Sequence, residues 1–174
     1  MRKASMETLR LISTDVLTRL EAMSAEEVAT LISMEDYHGF SKSWLPDHFL
    51  KPILDPYGFL PHEVQVEIVS VTRDLRDEVH HHEEADAIVN ILGKKQHLPN
   101  PVGASAFLEN SSTFTPCVVF MVNNEWFSLN ASYRIDIPAG YKHGFTVEPE
   151  GVLYFLSAQS PPITGPEGRN DYHK

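Results

Sequence analysis

The chain is short of cysteine, of basic residues and of long apolar runs, and each shortage removes a class of function. Cys117 is the only cysteine among 174 residues, so neither an intrachain disulfide nor a cysteine-rich metal centre is possible. It lies in the apolar run CVVFMV and reads as a buried, inert thiol. Lys and Arg number 14 against 24 Asp and Glu, a formal net charge of −10. With no basic cluster to neutralise phosphates, nucleic acid is not an expected partner. The opening MRKASMETLR is positively charged, but Asp15 and Arg19 interrupt the stretch that follows, so no signal-peptide core forms. No apolar run approaches the roughly 20 residues of a membrane span. There is no G-x-S-x-G and no glycine-rich loop ahead of a helix, so a serine triad and a phosphate loop have no support. The expectation is a cytoplasmic protein with no membrane contact.

The length suits one domain with a substantial core. Met6, Leu9, Ile12, Val16, Leu17, Leu20 and Met23 recur at helical spacing behind Ser5, and Ser24–Glu27 reads as a capping box opening a second helix through Val28, Leu31 and Ile32. Residues 35–62 are rich in aromatics and turn formers, with Pro46 placed to start a short helix. From Glu63 the period becomes two, with Val64, Val66, Ile68 and Val71 alternating against polar partners as in a half-buried strand. Further strand-like runs are Ala87–Leu92, Ala104–Glu109, Cys117–Val122, Glu125–Leu129, Ser132–Ile137, Gly144–Glu148 and Val152–Gln159. Short strands with regular turns, following helices, predict an antiparallel sandwich or barrel. The expected organisation is a helical and irregular extension over 1–62, a β-barrel over 63–159 and an extended tail over 160–174.

The stretch Val79–Gly93, VHHHEEADAIVNILG, carries the chemistry. In an extended strand His80 and His82 share one face and His81 takes the other. Asp86 follows after a short bend, and Glu84 is the substitute acid. Downstream, the turn IDIPAGYKHGF delivers His143 just after Pro138 and Gly140. His80, His82, Asp86 and His143 together offer three nitrogens and one oxygen to a metal. His81 reads as a surface histidine. Tyr141, beside the turn, has a phenol able to orient a substrate, though an exposed turn tyrosine is the simpler reading.

The pairing of these two motifs resembles the cupin superfamily. His80-x-His82, three residues, Asp86, six residues and Gly93 match its first motif, and Pro138-x-Gly140, two residues and His143 match the centre of its second. Asp74, Ser132 and Val147 stand where that pattern has Gly, Gly and Asn, and Asp86 stands where it has Glu. The resemblance covers about residues 63–159. It implies an all-β, cupin-type antiparallel β-barrel or jelly roll and a homodimer, and the helical front end adds an α-helical N-terminal extension to that barrel.

One divalent ion is the expected cofactor, with Fe(II) favoured by the resemblance and Mn, Ni or Zn also suited to the donor set. Three neutral imidazoles and one carboxylate would leave that ion a single net positive charge. Its affinity is expected to fall as pH drops through about 6.5, where free histidines protonate. The expected partner is a small organic substrate. A non-haem iron dioxygenase leads, ahead of a redox-neutral lyase, isomerase or decarboxylase, with a non-catalytic ligand-binding cupin as the third class.

Overall fold

Two serine caps start the helices at the front of the chain. In the computed structural model, which describes residues 2–36, 40–71, 78–92, 118–122, 125–129, 134–147, 153–164 and 170–174, Ser5 caps helix α1 (Met6–Glu21) by accepting the Thr8 N–H. Ser24 and Glu27 form the expected capping box of α2 (Ala25–Leu31). Leu9, Ile12, Val16 and Leu20 of α1 are buried along one stripe, and each such side chain contributes about 1.5–3 kcal/mol by leaving water.

The proline-rich stretch contains more regular structure than its composition suggested. Helix α3 (Asp47–Leu54) does begin behind Pro46. Ahead of it, β1 (Glu35–Asp36) and β2 (Phe40–Trp44) are strands where irregular chain was expected. The pattern FSKSW hid the second strand because its buried residues include Ser41 and Ser43 rather than aliphatics. The Ser43 hydroxyl is satisfied by the Ser33 N–H at 3.0 Å.

The remaining strands are β3 (Gln65–Val71), β4 (Asp86–Ile91), β5 (Val118–Val122), β6 (Glu125–Leu129), β7 (Arg134–Ile137), β8 (His143–Val147) and β9 (Leu153–Ser160). They make two antiparallel sheets, a six-stranded one in the order β1-β2-β3-β9-β4-β7 and a three-stranded one in the order β6-β5-β8. The expected run Ala104–Glu109, Cys117 and the motif glycine Gly93 lie outside the described residues. Among the described residues no helix is long and apolar enough to cross a membrane.

The large sheet is buried on both faces, and the period of two sorts its residues between them. Val66, Ile68, Ile88, Leu156 and Ala158 join the core that contains Leu9, Ile12, Phe49 and Leu54 of the helices. The intervening Val69, Val71, Ala87, Val89, Ile91 and Phe155 form a second cluster on the opposite face. The expectation that β3 is half-solvated therefore fails, and Glu67 is only 6% exposed. Polar ties hold the N-terminal segment to the sheet: Ala4 N–H to Ser160 Oγ at 2.8 Å, Asn90 Nδ2 to Ser13 Oγ, and Arg10 to Asp136.

The turn ahead of β8 places Gly140 at φ +82°. Its N–H donates to the His82 carbonyl at 2.6 Å, and the Tyr141 N–H closes the turn on the Pro138 carbonyl. A Cβ at Gly140 would meet nothing within 4 Å, so the backbone angle alone sets the cost of substitution. Gly140→Ala should destabilise the protein by about 1 kcal/mol. Urea unfolding checks this, and a variant as stable as the parent would remove the left-handed assignment.

Candidate metal centre

His80 and His143 are brought together by the backbone before their side chains are considered. The His80 N–H donates to the His143 carbonyl at 3.0 Å and the His143 N–H returns to the His80 carbonyl at 2.8 Å. Because the pair is an antiparallel bridge, both side chains stand on the same face. His82, two residues on, adds a third imidazole. Ring centroids are 4.3 Å apart for His80–His143, 5.1 Å for His80–His82 and 5.0 Å for His82–His143. One ring nitrogen from each lies within 4.8 Å of the others, and all three residues are buried.

Each ring is anchored in the same way. His80 Nδ1 bonds the Glu78 carbonyl at 2.9 Å, His143 Nδ1 bonds the Tyr141 carbonyl at 2.9 Å, and His82 Nδ1 bonds the Asp171 carbonyl. A carbonyl only accepts, so Nδ1 carries the proton and Nε2 carries the lone pair. This is the second layer that metal-ligating histidines commonly have. Burial drives the imidazoles away from the charged form. His80 is lowered to about 3, by desolvation and then by His143. His143 is lowered to about 4, chiefly by desolvation. His82 is lowered as well, desolvation outweighing its bond to Asp171. Protonation, expected near pH 6.5 from the sequence, is thus displaced well downward. Three neutral, convergent donors fit a divalent metal ion.

Asp86 is not brought into this set. One of its carboxylate oxygens accepts the Ala139 N–H at 2.8 Å and the other pairs with Lys3 at 2.9 Å. The acid of the first motif therefore braces the turn that carries the second. Glu84, the substitute ligand, is exposed. His81 faces away, exchanging backbone bonds of 2.8 and 3.0 Å with His173. Tyr141 is exposed, and its contribution is its carbonyl.

The tail supplies what the sequence reading missed. Asp171 is buried, and its carboxylate accepts the N–H groups of Glu83, Glu84 and Ala85 at 2.8, 3.1 and 2.9 Å. Desolvation pulls the other way, but those three donors hold its carboxyl below the ordinary value. Tyr172 stacks on His80 with centroids 4.2 Å apart and donates to Glu78 at 3.3 Å. Its phenol is pushed up to about 12 by desolvation and then by Glu78. The only hint in the sequence is that Asp, Tyr and His stand together in an otherwise Pro- and Gly-rich tail.

The three histidines open onto a cavity of about 170 Å³, below the roughly 300 Å³ at which drug-sized pockets begin. Val69, Val89, Ile137, Phe145 and Phe155 give it apolar walls, and Lys42, Glu67, Ser157 and Gln159 also line it.

No protein-family model matches the sequence, and no curated protein matches it. Solved structures do. A Streptomyces Pac13 variant with uridine is 12% identical, covering 83% of this chain and 84% of its own at a TM-score of 0.50. The polyketide cyclase RemF from Streptomyces resistomycificus is 16% identical over 81% of this chain and 80% of its own, also at 0.50. A protein from Planctomyces limnophilus is 18% identical over 88% and 99%, again at 0.50. Likeness at this level concerns the fold alone.

Two outcomes test the site. Asp171→Ala should weaken metal binding about 10–100-fold by releasing the 83–85 bend from the tail, and with it the hold of the tail carbonyl on His82, whereas Asp86→Asn should keep the metal stoichiometry; competition titration against a chelator measures both. The pH dependence has a definite sign. Unfolded histidines titrate near 6.5 and folded His80 and His143 near 3 and 4, so between those values the unfolded chain binds more protons. Stability of the metal-free protein should therefore fall as pH is lowered from about 6.5 toward 4. His80→Gln should flatten that slope in urea titrations, and an unchanged slope would contradict the burial argument.

Proposed function

We propose that His80, His82 and His143 bind one divalent metal ion and that the protein is a cupin-fold enzyme acting on a small organic molecule in the adjoining cavity. The observation that carries this reading is the set of three buried, neutral imidazoles, each anchored through Nδ1 to a backbone carbonyl. Burying three imidazoles against one another costs desolvation that aliphatic side chains would avoid, so a stabilising role alone explains the cluster poorly. We further read the two sheets as walls of one barrel, with the cavity as its interior.

Without an acidic ligand the bound ion would keep its full double charge. When bound, it would supply Lewis acidity toward a carbonyl or hydroxyl oxygen of the substrate. That favours redox-neutral chemistry of the lyase, isomerase or decarboxylase kind over the iron dioxygenase reading, since oxygenase sites commonly pair two histidines with a carboxylate. An all-nitrogen set suits Zn, Ni and Fe. The chain's own part is to hold the three rings through their carbonyl partners, to stack Tyr172 over His80, and to keep water away with the Phe145 and Phe155 walls. The polyketide cyclase among the similar structures is consistent with a small-molecule enzyme. The dioxygenase stays as a second reading because the apolar walls would admit a nonpolar co-substrate such as dioxygen.

Elemental analysis and metal titration test the proposal. About one ion per chain is expected in the parent, and His82→Ala should lose it while keeping its circular dichroism spectrum. Absence of bound metal, with a melting temperature unmoved by added Zn, Fe, Mn or Ni, would overturn the reading. Metal-dependent oxygen uptake during turnover would select the dioxygenase.

A further inference from the structure

His143 is followed by a residue whose missing side chain matters to the site. Gly144 is buried on β8. Among the described glycines only Gly58 and Gly140 have positive φ, so the backbone at 144 does not require glycine for its conformation. Glycine inside a strand costs stability and often marks a place where another segment comes close. A Cβ built on Gly144 would stand 3.0 Å from Val79 Cγ2, 3.5 Å from Val79 Cα and 3.8 Å from Val79 Cβ. All three atoms belong to the residue between His80 and Glu78, whose carbonyl anchors the His80 ring. Strand register accounts for the contact. His80 and His143 exchange both backbone bonds, so the next pair along, Val79 and Gly144, is of the narrow, non-hydrogen-bonded kind and points to the opposite face.

Two carbons in contact prefer a separation of about 3.5–4.0 Å. A methyl group at 144 would therefore push Val79 Cγ2 away by roughly 0.5 Å or more, and β-branching leaves that side chain few other rotamers. A displacement at 79 carries its neighbours with it. These are the Glu78 carbonyl, 2.9 Å from His80 Nδ1, and the His80 N–H, 3.0 Å from the His143 carbonyl. Metal–ligand distances tolerate only about 0.2 Å, so the shift is large on the scale that three convergent imidazoles require. We propose that Gly144 is a positioning residue for the histidine cluster. By carrying no side chain it lets Val79 close on β8, and so sets the distance at which His80 is presented to His143. Its effect on affinity rests on the metal-centre reading, whereas its effect on spacing is readable in the metal-free protein.

The test uses the full-length protein carrying Gly144→Ala, Val79→Ala or both. Zinc affinity is measured by competition against a chelator, and amide hydrogen exchange by NMR on the metal-free samples. Gly144→Ala should weaken zinc binding about tenfold or more, as loss of a ligand's support does. It should also speed exchange of the His80 and His143 amides relative to the other amides of β5 and β8. Val79→Ala removes the methyl that the new Cβ would meet. That variant alone, and the double variant, should therefore stay within roughly two- to threefold of the parent in zinc affinity, with exchange at His80 and His143 restored in the double. A glycine kept only for stability would instead give a lower melting temperature with zinc affinity intact. That result, or a loss that Val79→Ala does not reverse, would overturn the proposal. If Gly144→Ala does not fold, the double variant decides: parental zinc affinity supports the proposal, and a double that also fails to fold sinks it. A parent that takes up no zinc sinks the metal centre, and hydrogen exchange then decides the spacing role by the same reversal. Parental zinc affinity in every variant sinks the positioning role and leaves the metal centre standing.

Discussion

The two backbone hydrogen bonds exchanged by His80 and His143 are the constraint from which the site follows. They join the segment ahead of β4 to the first residue of β8, in the smaller sheet. Once that bridge exists, two imidazoles must share a face, and His82 arrives beside them because side chains alternate along an extended segment. The Gly140 N–H, bonded to the His82 carbonyl, ties the turn to the same segment. The imidazoles are then oriented through bonds to carbonyls that the fold has already positioned. The backbone thus sets both the spacing of the donors and the tautomer of each ring.

Two of the carboxylates near the site, Asp86 and Asp171, serve the backbone. Asp86 holds the turn through the Ala139 N–H and ties in the N-terminus through Lys3. Asp171 gathers three consecutive N–H groups of the bend between His82 and β4. Such bonds satisfy donors that a buried bend would otherwise leave orphaned, and they spend the acids on geometry. The result is a nitrogen-only cluster whose burial keeps it uncharged. The N-terminal segment and the C-terminal tail, which lie outside the motifs, are therefore both connected to the site.

A sheet buried on both faces gives this fold its interior. On the outer face, α1 and α3 complete an ordinary aliphatic core. On the inner face, the same strands present a lining that is mostly apolar but includes Glu67, Ser157 and Gln159. Buried polar groups of this kind find partners inside the fold, as Gln159 Nε2 does on Glu67 Oε1 and Ser157 Oγ. A strand whose polar residues seem to face solvent in a two-residue pattern can instead be facing a cavity.

How much of this was legible in the residues depends on the range of the interaction. The capping box at Ser24, the helical stripe of α1, the strand periods and the two histidine motifs are local patterns, and the motifs named His80, His82 and His143 together. Strand β2 escaped because its buried positions are serines, and the polar face of β3 was misplaced because alternation reports two faces without saying what covers each. Asp86 is ligand-like in spacing, yet its partners Lys3 and Ala139 are distant in sequence and claim its oxygens. Asp171 and Tyr172 had no periodicity to mark them. Local spacing determined which imidazoles could meet, because a strand or a turn sets side-chain direction within a few residues. Only the tertiary structure decided that the acids turn to the backbone, that the tail anchors His82, and that Glu67 and Gln159 look inward, because each depends on chain brought together from far apart.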